Sequence, residues 1–212
     1  MRKPSNSIKE RVAKEAAVLL YTEQEKEYKQ AKQRAADTFG VRTWPSNKKV
    51  AEELDKTADE IEGPARKERL AQMRKDALSV MVVLGDFHPR LVGSVWRGTA
   101  HRNSDIDIEI FTSEHKTVLE RLKQNGFAVQ KTGWQVVTKG AGTERAFHVY
   151  LVSASLNEVE LVVRSPEKIN EINKCEIYGD IIKGLNIHQL RRVLLINPIQ
   201  KFAPARSAEM IG

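Results

Sequence analysis

The sequence predicts an α+β fold in which helices precede a mixed β-sheet. Residues 1 to about 84 have helical patterning, whereas short apolar and β-branched runs begin near residue 90. From residue 166 helical character returns, most clearly over residues 186–196. We therefore expect an N-terminal helical region at 1–84, a core at 85–165 and a C-terminal helical tail at 166–212.

The N-terminal region is expected to form three helices. The first is predicted over residues 8–37, which are rich in Ala, Lys, Glu and Gln, and the second runs from Ser46 or Asn47 to about Glu62. Pro64 suits the first turn of the third helix. The apolar residues of this third helix share one face, which is predicted to pack on the sheet: Leu70, Met73, Ala77, Val80, Met81 and Leu84.

The predicted core contains a short strand, four longer strands and one helix. Leu91 and Val92 form the short strand, and residues 105–111 alternate as a strand with two different faces does. Residues 117–124 have helical spacing. Residues 127–137 and 145–152 predict a hairpin, because glycines separate two β-prone runs, and residues 159–163 predict a further strand.

The composition excludes several classes of protein. The one cysteine rules out an internal disulfide framework and a cysteine-built zinc site. The longest apolar run is too short to span a membrane, and no apolar signal core follows the N-terminus, so we expect a cytoplasmic protein. The net charge of +7 is spread among opposite charges and permits an RNA or DNA partner without requiring one.

Two aspartates on the strand at 105–111 are the main candidate for a metal site. Because side chains alternate along a strand, Asp105, Asp107 and Glu109 share one face and three isoleucines share the other. Asp105 and Asp107 would lie about 7 Å apart at Cα. Like charges at this spacing repel each other, and a bound Mg²⁺ would relieve the repulsion. Glu109 lies further along the strand, so we assign it a supporting or structural role.

A glycine-containing turn precedes this strand and is typical of a phosphate-binding loop. Gly93 and Ser94 follow the short strand, and Gly98 and Thr99 close the segment. Glycine lets the backbone approach a phosphate closely, and successive amides with the Ser94 hydroxyl can bind phosphate oxygens. Arg97 lies in the same loop and could add positive charge.

Glu160 is the candidate for a third carboxylate. It lies between large apolar residues on a predicted strand, where an acid is costly unless a cation offsets its charge. Glu158 would share the same face, but its position near the strand end is explained more simply by solvent exposure. None of the five histidines has metal-ligand spacing, and most are expected to be surface or packing residues.

The segments 93–99 and 104–108 together resemble the signature of the DNA polymerase beta-type nucleotidyltransferase superfamily. The similarity is greatest to the head of archaeal CCA-adding enzymes and to minimal nucleotidyltransferases. It implies a mixed-sheet palm in which Gly93 and Ser94 hold a triphosphate. It also implies that Asp105 and Asp107 bind Mg²⁺ and that Glu160 stands as the third carboxylate.

The expected activity is transfer of a nucleoside monophosphate from an NTP to a hydroxyl acceptor, with release of pyrophosphate. We expect a two-metal Mg²⁺ site, with ATP as the first choice of nucleotide. The acceptor stays open between an RNA 3′ end and a protein hydroxyl. The alternatives are a small-molecule nucleotidyltransferase of the antibiotic-modifying type and a catalytically inactive nucleotide-binding or RNA-binding module. The sequence does not indicate the oligomeric state.

Overall fold

The computed structural model describes residues 7–139 and 142–204 of the chain. These residues form seven α-helices and a five-stranded mixed sheet, which confirms the predicted α+β class. None of the helices in these two ranges combines the length and apolar character needed to span a bilayer. The described residues divide into two compact units, one of residues 7–66, 175–180 and 204, and the other of residues 67–174 and 181–203. The division at 84 and 165 that we expected from the sequence stays a prediction.

The first unit is built from helices α1 (Ile8–Tyr21), α2 (Tyr28–Thr38) and α3 (Asn47–Glu62). Ser46 caps α3 as predicted, because its side chain accepts a hydrogen bond from the Lys49 amide. Small residues let the helices pack closely, and the buried cluster consists mainly of alanines and valines: Val12, Ala13, Ala16, Leu19, Ala31, Ala35, Ala36 and Val50.

The single helix predicted over residues 8–37 is wrong, because two helices occupy this range. The hydroxyl of Thr22 donates to the Val18 carbonyl at 2.8 Å, and the backbone of Glu23 adopts a positive φ of 56°. A positive φ is incompatible with a right-handed helix, so the chain leaves the helix here and resumes it at Tyr28. Composition alone favoured a continuous helix and did not reveal this break.

The second unit contains the sheet and the helices that cover it. Helix α4 (Pro64–Val83) crosses the boundary between the units and is followed by a 3₁₀ turn. The remaining elements are β1 (Arg90–Leu91), α5 (Gly93–Arg97), β2 (Ile106–Phe111), α6 (His115–Gln124), β3 (Val129–Lys139), β4 (Gly142–Val152), β5 (Glu158–Arg164) and α7 (Ile187–Ile196). All six residues predicted for the apolar face of α4 and its end are buried.

The strands lie in the order β1-β2-β5-β4-β3. Strand β2 pairs with β5 in parallel, and every other neighbouring pair is antiparallel. The predicted hairpin is present as β3 and β4, although residues 140–141 of its turn lie outside the described ranges. One face of the sheet carries the core: Ile106, Ile108, Ile110, Val149, Leu151, Val159, Leu161 and Val163 are buried.

The tail beyond β5 is only partly helical. A 3₁₀ turn spans Pro166–Asn170, and residues 171–186 contain no helix although the sequence favoured one. Helix α7 begins as predicted, because Asn186 and Gln189 form a reciprocal capping box. Residues 205–212 of the expected tail lie outside the described part of the chain.

Asp76 of α4 fixes the turn between β4 and β5. Its carboxylate accepts hydrogen bonds from Ser153 Oγ and Asn157 Nδ2, each at 2.7 Å, and from Gln72 Nε2 at 2.9 Å. Asp76 and Ser153 are both buried. A buried carboxylate is tolerated here because several donors replace its hydration.

Replacing Asp76 with Ala is expected to lower the free energy of unfolding by about 1–3 kcal/mol, because the buried Ser153 hydroxyl loses its acceptor. Urea denaturation followed by circular dichroism measures this change. Asp86→Ala is the matched control, since Asp86 is exposed and its ion pair with Arg121 should contribute less than about 1 kcal/mol. Equal effects of the two substitutions would contradict the assignment.

Candidate active site

The parallel pairing of β2 and β5 brings three carboxylates together. Asp107 and Glu160 are direct register partners on these strands, and Asp105 lies immediately before β2. One ligand oxygen from each of the three lies within 4.8 Å of the others, and all three residues are half-buried. The sheet therefore places the three acids predicted from the sequence around one small volume. Their roles in catalysis and metal binding stay predictions.

The two other acids on this face are directed elsewhere. Glu158 is exposed at the start of β5 and is not part of the group of three. Glu109 Oε1 lies 3.5 Å from Arg164 Nη1. Arg164 is buried and also pairs with Glu144 and Glu171, at 2.6 and 2.5 Å. The charge of Glu109 is therefore offset by a cation on the neighbouring strand.

Burial and mutual repulsion disfavour ionisation of the two aspartates. The pKa of Asp107 is raised from its ordinary value of 3.8 to about 8, chiefly by burial and also by the charges of Asp105, Glu160 and Glu109. Burial also raises the pKa of Asp105, with smaller contributions from Glu160 and Glu158. A cation among these oxygens would favour the charged forms, so the cluster has the electrostatic character of a metal site.

Gly93 lies directly against Asp107. Its φ is +68°, and a Cβ added to it would overlap the Asp107 carboxylate, at 2.7 Å from Cγ. The Val92 amide also donates to the Asp107 carbonyl at 2.9 Å, which links this segment to β2. The predicted turn is in fact the start of the short helix α5, so the amides of Gly93 and Ser94 belong to its first turn.

Two of the other three predicted nucleotide-binding residues, Arg97 and Gly98, contact the segment that follows α7. The Phe202 amide donates to the Arg97 carbonyl at 2.8 Å, and Arg97 is buried. A Cβ on Gly98 would lie 2.8 Å from the Gln200 carbonyl oxygen. Thr99 closes α5 by donating its amide to the Ser94 carbonyl. The close packing against Gln200 is enough to explain why residue 98 is a glycine. The nucleotide-binding roles of Arg97, Gly98 and Thr99 stay predictions.

Arg74 stabilises α5 by hydrogen bonds to its carbonyl groups, a role that was not predicted from the sequence. It is fully buried on α4 and donates to the carbonyls of Val95 and Trp96, at 3.1 and 2.9 Å. It also donates to the carbonyls of Pro198 and Gln200, at 2.7 and 2.8 Å. Burial lowers the pKa of Arg74 to about 10. Its position four residues after Leu70, on the apolar face of the helix, is the signal that could have revealed it.

A second group that the sequence did not reveal surrounds Glu160. His148 Nδ1 lies 2.7 Å from Glu160 Oε1, and His148 is buried. Tyr150 is the register partner of Glu160, and its hydroxyl accepts from Gln135 Nε2 at 2.7 Å. Strand β4 thus supplies a polar partner, His148, to the third carboxylate.

Asp107→Asn is expected to stabilise the metal-free protein, increasingly as the pH rises. Because the pKa of Asp107 is raised in the folded state, its favourable contribution is complete below about pH 4 and is lost as the pH rises through 8. Asn cannot ionise and escapes this loss. Thermal unfolding in EDTA between pH 5 and 9 should show a Tm difference that grows with pH, by about 2–4 °C per kcal/mol of relieved repulsion. A difference independent of pH would contradict the raised pKa.

Gly93→Ala is expected to displace the Asp107 carboxylate and to weaken Mn²⁺ binding. Gly126→Ala is the matched control, because Gly126 also has a positive φ, of 79°, yet a Cβ there meets nothing within 4 Å. Both substitutions impose a backbone cost of about 1–2 kcal/mol. Only Gly93→Ala should change the Mn²⁺ affinity measured by calorimetry. Equal Mn²⁺ affinities in the two variants would exclude the contact between residue 93 and the site.

The chain is similar to one protein family and to several solved structures. A family model described as a nucleotidyltransferase domain matches residues 88–162. No curated protein matches the chain. Among solved structures, Cid1 in complex with the UTP analog UMPNPP matches at 16% identity, with 53% of this chain and 36% of that chain covered and a TM-score of 0.34. A cytoplasmic RNA terminal U-transferase matches at 19% identity, with 55% and 34% covered and a TM-score of 0.32.

The chain thus spans about a third of the length of these solved structures. The segment matched by the family model begins before β1 and ends within β5, so it contains Gly93, Ser94, Asp105, Asp107 and Glu160. Residues 88–162 thus match the nucleotidyltransferase domain family, in agreement with the resemblance that the motifs indicated.

Proposed function

We propose that this protein transfers a nucleoside monophosphate from an NTP to a hydroxyl group and releases pyrophosphate. The observation that carries the proposal is the convergence of Asp105, Asp107 and Glu160 within 4.8 Å, inside a nucleotidyltransferase domain. Three acids at such close range are unfavourable for stability by themselves, as the raised pKa of Asp107 indicates. Their retention is explained if they act on a cation and a charged substrate.

The donor set fits Mg²⁺. Carboxylate oxygens are the protein ligands that Mg²⁺ prefers, and it completes its coordination with water and phosphate oxygens. When bound, Mg²⁺ supplies charge neutralisation at the phosphates and activation of the attacking hydroxyl. Asp105, Asp107 and Glu160 are the residues that would hold it.

The strand order gives the site a direction. Gly93 and Ser94 follow β1 on one side of Asp107, whereas Glu160 on β5 lies on the other side. The amides of Gly93 and Ser94 would bind the triphosphate, and Glu160 would face the acceptor hydroxyl and could accept its proton. This placement suits an in-line displacement, in which the attacking and leaving oxygens lie on opposite sides of the phosphorus. The contribution of the protein is then mainly positioning and charge stabilisation.

The acceptor is proposed to be an RNA 3′ end. The net charge of +7 favours a polyanion over a neutral acceptor. A protein hydroxyl is the second candidate, and ATP is the proposed nucleotide.

The purified full chain should transfer label from α-³²P-labelled NTP, in the presence of Mg²⁺, to a single-stranded RNA oligonucleotide. Asp107→Asn should lower the transfer rate by more than the roughly 10–100-fold loss typical of residues behind a metal ligand, because it removes a predicted ligand itself. Asp86→Asn is the control and should retain the wild-type rate, since Asp86 is exposed in the 3₁₀ turn after α4.

The same reaction is run with all four NTPs and with cell lysate in place of RNA. Label on a protein band instead of RNA would reassign the acceptor. Absence of label on either, or full turnover by Asp107→Asn, would refute the proposed function.

A further inference from the structure

His148 lies on β4 beside the candidate site, and its side chain is on the face of the sheet that carries the carboxylates. Its register partners are Val162 on β5 and Gly133 on β3, and Tyr150, two residues further, is paired with Glu160. The side chain is buried, and Nδ1 lies 2.7 Å from Glu160 Oε1. The carboxylate motif does not assign a role to His148, because His148 lies on a different strand from the three acids.

We propose that His148 is a positioning residue that holds the Glu160 carboxylate in place for metal and acceptor. This inference rests on the proposed function, since it assigns a purpose to Glu160. The contact is a hydrogen bond from Nδ1–H to a carboxylate, which is among the stronger hydrogen bonds in proteins. It limits the rotation of a side chain that has three rotatable bonds.

The hydrogen-bond inventory of the imidazole supports this assignment. A carboxylate that binds a metal is ionised and can only accept hydrogen bonds, so in the proposed role Nδ1 carries the hydrogen that lies between it and Oε1. Nε2 is buried and has no hydrogen-bond partner among the residues that the structure describes. Among the described residues, Glu160 is therefore the one hydrogen-bond partner of the imidazole ring. The second ring nitrogen is left without a hydrogen bond, which is unfavourable for a buried polar atom.

The electrostatics of the site give Glu160 a reason to need such a partner. Asp107 is its register neighbour, and the two carboxylates repel each other. Glutamate is one methylene longer than aspartate and can swing away from like charges toward solvent. The bond from His148 opposes this rotation. Partners of this kind orient ligands and commonly change metal affinity or activity about 10–100-fold.

Two substitutions at His148 test the proposal in the full chain. His148→Leu removes the donor, whereas His148→Asn keeps an amide N–H near the position of Nδ1. His115→Leu is the matched control, because His115 packs against Trp134 and Phe147 on the opposite, core-facing side of the sheet. Mn²⁺ binding is measured by calorimetry without nucleotide, and kcat and the KM for NTP are measured separately with Mg²⁺.

His148→Leu should weaken Mn²⁺ binding or lower kcat by about 10–100-fold, while the KM for NTP stays within about twofold. His148→Asn should recover most of the loss, and His115→Leu should match the wild type. In a Glu160→Ala background His148→Leu should have no further effect on Mn²⁺ affinity, because the histidine acts through Glu160. A folded His148→Leu protein with wild-type Mn²⁺ affinity and kcat would overturn the proposal.

A measurement on the wild-type protein covers the case in which His148→Leu does not fold. Nitrogen-15 NMR of the imidazole should show the hydrogen on Nδ1 of His148, and Glu160→Ala should alter that signal. A neutral ring with the hydrogen on Nε2 would overturn the proposal. If the wild type binds Mn²⁺ but transfers no nucleotide, the proposed function fails while His148 is still tested by binding and NMR. A wild type that binds no Mn²⁺ would overturn both.

Discussion

The parallel pairing of β2 with β5 is the constraint on which the rest of the site depends. It sets Asp107 opposite Glu160 on one face while the alternate residues of both strands enter the core on the other. Side chains alternate strictly along a strand, so the register that buries the isoleucines of β2 also places its acids on the opposite face. The hydrophobic free energy of the core therefore offsets the repulsion among the carboxylates. A bound cation would relieve this repulsion, and the relief favours cation binding.

Features with local causes could be predicted from the sequence. Alternation over residues 105–111 identified β2 and its acidic face, and the spacing of apolar residues identified the buried face of α4. Helical patterning over residues 186–196 identified α7, and Ser46 was one of two candidates for the cap of α3. In each case the physical cause lies within a few residues, either in the period of a strand or helix or in a capping bond. The choice of Glu160 over Glu158 rested on flanking apolar residues, and the burial pattern of β5 agrees with that reasoning.

Features with distant causes could not be predicted in this way. Arg74 meets its four carbonyl partners more than 20 residues away, and His148 meets Glu160 across two strands. Both depend on strand order and register, which periodicity does not reveal.

The break in the helix predicted over 8–37 has a local cause, the Thr22 hydroxyl and the positive φ of Glu23. It was missed because composition over 30 residues outweighed two residues that few rules mark as breakers.

The same register divides the chain into segments that tolerate changes of length and segments that do not. Between β2 and β5 the chain passes through α6 and the hairpin of β3 and β4, and β3 is the strand farthest from β2 on that side of the sheet. A residue added between β3 and β4 leaves the pairing of β2 with β5 unchanged and every carboxylate on its face. A residue inserted between Glu158 and Glu160 turns the end of β5 over, placing an acid in the core and an apolar side chain among the aspartates. Variation in length among related sequences should therefore concentrate in the hairpin and be absent from β2 and β5.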